Sequence, residues 1–540
     1  MGDWAYIKGV FIATWSGLKH LFRPRMTLRY PEQKLDLEGP GYQFDAKKGV
    51  GLPGFKGRHI LYFEKCTGCQ LCAIACDGVA VAIDMQKVQK GKVQNKKDIW
   101  PAVDYGRCVF CGLCVDPETE VATNPGIKPI REIVVGEHIL THSGEYKPVT
   151  RIWEFAYTGV LYEIKVMGKP NPLICTADHK ILAVRRPVST RLDGRLLRKI
   201  GPTEMTLPQN LKVGDYLLTP IPKKTVDQEI VRIEFNGRYE TKRLALRTEP
   251  TLFRLIGYYL SEGSTDLRGR SVTFSFGSDE RSLIDDASSL LAGYFSKKPV
   301  VAVLHQHATN VRLGSSLALK FFSQFGRGAP NKILPDWVFF ASREKQTQLV
   351  KGLFLGDGCV VNQKRQKYLN ITTVSKVLAN QVQLVLARMG VVSTIAKEMP
   401  VGKLPCYRIN IFGRWAIKLA QMLEFPFEYS PSKSTDKFLM TSDYVFSPIE
   451  RIGAQNVNGR TVMDVTVEGD HTFVGNGVVQ HNCVDACPFD ALFMTNEYEL
   501  SSYDKMSLKY TPDMLAVPPK LEGKKYKVEF DTEKGVVKHG

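Results

Sequence analysis

The sequence predicts a multidomain chain in which an α+β unit, built from two outer segments, is split by an all-β unit. That all-β unit in turn carries a second α+β unit inserted within it. Three observations predict this. Cysteines cluster at Cys66–Cys76, at Cys108–Cys114 and again at Cys483–Cys487. Apolar/polar alternation of strand type fills residues 114–220 and returns in 440–482. Between these lie helical runs holding two similar nonapeptides, "LIGYYLSEG" (255–263) and "VKGLFLGDG" (350–358). The boundaries read as 1–113, 114–220, 221–439, 440–482 and 483–540.

A length of 540 residues suggests three or four domains, and a hydrophobic fraction of 44% is enough for real cores. No apolar run of about 18 residues is present, so no helix is expected to span a membrane. No secretory pattern is visible, and the protein is expected in the cytoplasm. Net charge is +18, unevenly spread. Residues 1–113 and 483–540 hold 25 Lys+Arg against 20 Asp+Glu, while 114–482 holds 48 against 35. The middle is therefore the basic part, which suits a polyanion such as DNA and equally a basic soluble surface. Clustered cysteines in a cytoplasmic chain point to metal or redox chemistry and away from a disulfide framework.

"CTGCQLCAIAC" sets Cys66, Cys69, Cys72 and Cys76 at C-x2-C-x2-C-x3-C. This is iron–sulfur spacing; a zinc site needs only paired C-x2-C units. "CVFCGLC" begins a second copy with Cys108, Cys111 and Cys114, and then "VDPETEV" supplies no fourth cysteine. Deleting 114–482 joins Leu113 to Cys483 and yields "CVFCGLCVDACP", the complete C-x2-C-x2-C-x3-C-P run. The joined chain resembles a two-cluster ferredoxin. In the crossed arrangement that this implies, Cys66, Cys69, Cys72 and Cys487 hold one [4Fe–4S] cluster, and Cys108, Cys111, Cys483 and Cys76 hold the other. Asp77 stands where proline is usual, which is expected to lower the potential of the adjacent cluster.

The flanks "GLKHLFRPRMTLRYPEQK", "GRHIL" and "FDALFMTNEYELSSYDKMSLKYTPDML" are similar to subunit I of NADH-quinone oxidoreductase, the ferredoxin-like subunit of complex I. That resemblance implies partner subunits, electron transfer toward quinone, and a peripheral place on the cytoplasmic side of the membrane. The alternative host is a subunit of a related complex fed by reduced deazaflavin or ferredoxin. Trp4, Ile7, Phe11, Trp15, Leu18 and Phe22 fall on one helical face, suited to a membrane surface or a partner.

The middle segment begins with Cys114 and ends in His481–Asn482, followed by Cys483. Together with "LICTADHKI" (173–181) and "VMDVTVEGDHTFVGNGVVQHN" (462–482), these ends resemble an intein on an all-β Hint fold. The resemblance implies Cys114 and Cys483 as nucleophiles and Asn482 as the cyclising residue. Thr176 and His179 would assist at the first junction, and Asp464, His471 and His481 near the second. The paired nonapeptides resemble LAGLIDADG homing endonucleases. Their small residues permit close helix packing, and Glu262 and Asp357 would share Mg²⁺ for phosphodiester hydrolysis. Lys332 resembles the family's catalytic lysine. The segments 264–330 and 360–430 carry much of the basic charge and are the expected DNA saddle.

Overall fold

The computed structural model describes residues 114–428 and 437–481 apart from scattered positions, with short segments inside 59–105 and 492–539. The chain divides into Met1–Asp45 and Ala46–Gly540. The first unit lies wholly outside the described residues, and so does the expected N-terminal amphipathic helix. Cys76, Asp77, Cys108, Cys111, His471, Asn482, Cys483 and Cys487 also lie outside them.

Within the second unit the chain is multidomain and mostly sheet. Among the described residues, the largest sheet runs in the order Ile127–Pro129, Glu120–Ala122, Thr472–Gly475, Val478–His481, Ile181–Val184, Tyr216–Pro220, Tyr444–Val467, Tyr146–Val166 and His138–Leu140. Its backbone is the antiparallel pairing of two long strands, Tyr146–Val166 and Tyr444–Val467. Ile152, Ile164, Val465 and Val467 bury the core between them. The alternation in "KPVTRIWEF" and "VLYEIKVM" suggests two strands. They form one, because the partner strand continues alongside and satisfies the backbone throughout. "IREIVVGEHILTH" likewise reads as a strand, yet Ile130–Glu132 is a 3-10 turn and only His138–Leu140 pairs. Pro129 and the left-handed Gly136 (φ 88°) interrupt it.

The strand Thr472–Gly475 turns at Asn476–Gly477 into Val478–His481. Both turn residues have positive φ, 48° and 76°, the two-residue hairpin that an Asn-Gly pair favours.

The inserted region is an α+β repeat. Helix α1 (Pro250–Glu262) leads into strands Gly263–Asp266 and Ser271–Gly277, then α2 (Arg281–Phe295), strands Val300–His305 and Ala308–Gly314, and α3 (Ser316–Ser323). A short helix α4 (Asp336–Phe339) connects to the second copy. That copy runs α5 (Arg343–Asp357), strands Gly358–Gln363 and Gln366–Thr373, α6 (Lys376–Arg388), strands Thr394–Glu398 and Cys406–Ile411, and α7 (Gly413–Met422). Each copy orders its four strands first, second, fourth, third. A core of Phe253, Phe274, Phe321, Phe322 and Phe325 fills the first half.

The two nonapeptide helices meet backbone to backbone. A Cβ built on Gly257 would lie 2.7 Å from Leu353 N and 2.8 Å from Gly352 Cα, and one on Gly352 would strike the carbonyl of Arg254. Glycine is required here by proximity.

The outer segments pair with each other across the insertion. His59–Leu61 pairs with Leu492–Met494, and Ile99–Asp104 pairs with both Ile83–Lys87 and Lys509–Tyr510. Leu61, Trp100, Val103 and Leu515 form their core together with Cys66 and Cys72. Among the described residues no helix is long and apolar enough to cross a membrane.

The helix contact gives a stability prediction. Gly257→Val forces the backbones of α1 and α5 apart and is expected to cost about 3 kcal/mol or more. Gly293→Ala, in an exposed stretch of α2 with no atom within 4 Å of the new methyl, is expected to gain about 0.5–1 kcal/mol. Denaturant unfolding of the two variants beside wild type measures both.

Candidate functional site

α1 ends on Glu262 and α5 ends on Asp357, so the close helix contact delivers two carboxylates to one place. Gly356 makes room for them: a Cβ there would sit 3.2 Å from Glu262 Cγ. Burial raises Glu262 to about 7, with Asp357 and Glu280 pushing in the same direction. Burial likewise raises Asp357 to about 6, opposed by the Lys332 ammonium.

Lys332 is 3% exposed, in the stretch between the short 3-10 turn Ala329–Asn331 and α4. Its ammonium donates to Tyr259 O at 2.6 Å and Gly263 O at 2.7 Å, and lies 3.4 Å from the centre of the Tyr259 ring. It thus caps the carbonyl end of α1, where a positive charge complements the helix dipole. Burial lowers Lys332 to about 7, opposed by Asp357. The three groups therefore sit near their proton-exchange points at neutral pH.

This arrangement fits a divalent cation. Two half-buried carboxylates that resist joint ionisation are relieved when a dication replaces their protons, and a two-carboxylate site leaves positions open for water and phosphate oxygens. Glu262 and Asp357 would hold it. The cation would supply charge neutralisation at the phosphate under attack.

A second cluster surrounds Cys114, whose side chain is fully buried. Its N–H donates to Thr176 Oγ1 at 3.2 Å, and its carbonyl accepts from Thr176 N at 3.0 Å. Val115 exchanges backbone hydrogen bonds of 2.8 Å with Met463, the residue before the buried Asp464. His179 N donates to Thr176 O at 3.2 Å, and its ring lies 2.9 Å from Gln480 Oε1 through Nε2. His481 N donates to Lys180 O at 2.9 Å. One neighbourhood thereby gathers Cys114, Thr176, His179, Asp464 and His481, drawn from both ends of 114–482.

Gln480 is the residue that sequence reasoning missed. Its amide nitrogen is used on Gly475 O at 2.8 Å, so its oxygen faces His179 Nε2. The only signal was its place two residues before Asn482, on the buried face of a strand.

Among the outer cysteines, Cys66 and Cys72 are buried and Cys69 is half-buried. They share a loop wound through left-handed Gly68 (φ 68°) and Gln70 (φ 67°). Three thiols on a tightly wound loop against an apolar core suit thiolate ligation. Among the described residues, however, no three His, Cys, Asp or Glu side chains converge to hold a metal ion.

Comparison with known proteins bears on the second copy. Residues 344–418, which include the second nonapeptide, match the LAGLIDADG-like domain family, so the chain carries a domain of that kind. An uncharacterized protein of Methanocaldococcus jannaschii is 26% identical over 471 residues, covering 77% of this chain and 57% of that protein. The ATP-dependent DNA helicase Hel308 of Thermococcus kodakarensis is 28% identical, covering 68% of this chain and 36% of the helicase. An iron–sulfur cluster assembly SufBD family protein of Mycobacterium bovis is 25% identical, covering 68% of this chain and 43% of that protein. The chain thus spans between about a third and somewhat over half of these relatives. Among solved structures, the homing endonuclease I-DmoI is 18% identical with a TM-score of 0.26, covering 33% of this chain and 96% of that one.

The raised carboxylates set a pH dependence. Without metal, the folded state holds these protons more tightly than the unfolded chain does. The resulting stabilisation is present at low pH and is lost as pH rises toward about 7. Mg²⁺ must displace those protons, so its apparent affinity is expected to rise with pH by about tenfold per unit for each proton displaced, levelling above the pair's pKa values. Thermal shifts with and without Mg²⁺ should be small at pH 5.5 and large at pH 8, and Asp357→Asn should abolish them.

Proposed function

We propose that the chain is a precursor that matures by protein splicing, with 114–482 leaving as an intein. That segment combines a Hint-type sheet with the LAGLIDADG-like domain, which acts as a site-specific, divalent-metal-dependent DNA endonuclease. Joining Leu113 to Cys483 leaves a 171-residue product, read from its flanks as a two-cluster electron-transfer subunit of a complex I-like assembly, on the path toward quinone. The carrying observation is that removing one segment, bounded by Cys114 and His481–Asn482, restores a complete second C-x2-C-x2-C-x3-C-P motif.

Three further observations support the reading. Excision needs the two ends of the segment side by side, and Cys114 and His481 share the hydrogen-bonded neighbourhood of Thr176–Lys180. The outer segments pair with each other, as parts of one host should. Finally, 369 of 540 residues is 68% of the chain, the same share that matches both a helicase and a SufBD protein. A common insert accounts for likeness to proteins of such different names.

The chemistry follows from the side chains at the ends of the segment. The Cys114 thiol attacks the carbonyl of Leu113, forming the C–S bond while the C–N bond breaks, and the thiol proton passes to the freed amine. Thr176 holds the Cys114 N–H, and His179, from the intein resemblance, would protonate the departing nitrogen. The Cys483 thiol then takes the acyl group from Cys114. The Asn482 side-chain nitrogen attacks its own carbonyl, closing a succinimide and releasing the Cys483 amine. The acyl group shifts from sulfur to that amine, leaving an ordinary peptide bond. In the joined product Cys66, Cys69, Cys72 and Cys487 would hold one cluster, and Cys108, Cys111, Cys483 and Cys76 the other. These clusters supply one-electron transfer when bound.

Intact mass after expression under reducing conditions tests this. Wild type should give a 171-residue product joined at Leu113–Cys483 and a separate 369-residue fragment. Cys114→Ala/Asn482→Ala should remain at 540 residues. A wild type that also stays at full length sinks the splicing reading, and with it the assignment of Cys483 to a cluster.

A further inference from the structure

We propose that α6 of the LAGLIDADG-like domain positions the hairpin that delivers the C-terminal splice residues, through Lys376 on Glu120 and Gln383 on Lys169. The proposal rests on the splicing reading and adds that the endonuclease domain is a working part of the splicing apparatus.

The hairpin tip Asn476–Gly477 is clamped by the sheet beneath it. Asn476 N donates to Glu120 O at 2.8 Å, Glu120 N donates to Asn476 Oδ1 at 2.8 Å, and Asn476 Nδ2 donates to Pro172 O at 2.7 Å. Thr219 Oγ1 donates to Gly477 O at 2.5 Å. The fourth side of the clamp is Lys169, whose ammonium would lie 2.8 Å from a Cβ on Gly477. From this tip the strand Val478–His481 runs directly to Asn482.

Two of the clamping groups are held from the other domain by one face of one helix. Lys376 forms an ion pair with the buried Glu120 carboxylate. Seven residues further along α6, Gln383 Oε1 accepts from Lys169 Nζ at 3.4 Å. Positions seven apart lie on the same helical face. Val377 lies alongside Gly126, where an added Cβ would approach it to 3.0 Å. Near the other end of the helix, Ala387 packs in an apolar cluster with Ile221, just past strand Tyr216–Pro220, and with Val445 of the large sheet. The turn bearing Lys169 is anchored as well, since Ile395 N donates to Gly168 O at 3.0 Å. Glu120 and Lys169 are both buried, so each needs a polar partner to hold its place, and α6 supplies one to each.

α6 therefore fixes the tip from which Gln480 and His481 extend, while Cys114 and Thr176 lie against a different strand pair. Loosening α6 should slow cyclisation at Asn482 more than thioester formation at Cys114, which feels the hairpin only through Gln480 on His179. Lys376, Gln383, Glu120 and Lys169 are positioning residues; none touches a reacting atom.

The two half-reactions separate these effects in the full chain. In a Cys114→Ala background only release of residues 483–540 proceeds. In an Asn482→Ala background a thiol reagent releases residues 1–113. Lys376→Met and, separately, Gln383→Leu are expected to slow the first release about tenfold while the second stays within about twofold, because small displacements of a reacting group are costly. Lys376→Arg, which keeps the ion pair, should restore the first release. Unchanged release at Asn482 in both variants overturns the proposal, and so does an equal fall in the two half-reactions. If neither background shows cleavage with α6 intact, the splicing reading itself fails.

Discussion

The antiparallel pairing of Tyr146–Val166 with Tyr444–Val467 holds the central part of the molecule together. These strands lie on opposite sides of the whole α+β repeat, so their contact closes a very long loop. Closure entropy grows only logarithmically, and a loop of some 280 residues costs roughly 2 kcal/mol more than one of 20. Long ladders and a shared apolar core offset that readily. The loop ends are tied at their base, where Ile221 N donates to Asp443 O at 2.8 Å. An entire domain therefore leaves the sheet and returns without disturbing its register. That same register sets Met463 against Val115, and so brings Asp464 and Cys114 into one neighbourhood.

Inside the repeat a different constraint rules. Glycine at 257 and 352 lets two helices approach until their backbones touch, and that approach forces two carboxylates together in a half-buried place. Burial raises the pKa of both Glu262 and Asp357, and the Asp357 charge adds to the rise on Glu262. Lys332, buried against the carbonyl end of α1, partly offsets the rise on Asp357. A dication taking the place of the carboxylate protons would relieve the cost of burying the pair.

Both centres are linked through α6. Its N-cap Ser375 accepts from Leu378 N and donates to Lys332 O at 2.6 Å, while Gln381 holds both the N–H and the carbonyl of Leu334 at 2.8 Å. The opposite side of the helix reaches Glu120 and Lys169. One helix thus bears on the segment carrying Lys332 and on the hairpin leading to His481. Its contacts with Lys332 and Leu334 stay within its own domain, while those with Glu120 and Lys169 tie that domain to the neighbouring sheet.

The sequence by itself determined the punctuation of this protein. Broken cysteine spacing, terminal Cys114 and His481–Asn482, and two nonapeptides at a fixed offset are all local, because ligation, nucleophilic attack and close helix packing each demand particular residue types at particular intervals. Alternation also marked 114–220 as sheet, but it read a strand through the 3-10 turn Ile130–Glu132 and did not reveal that two strands are one, since a strand's end depends on where its partner stops. Tertiary structure alone decided which distant residues meet. Gln480 orients His179, Lys332 caps α1, and Lys376 and Gln383 reach across to Glu120 and Lys169. Each of these contacts joins residues dozens to hundreds of positions apart, and no local spacing encodes such a distance. They arise from chain closure, burial and the need of every buried polar group for a partner.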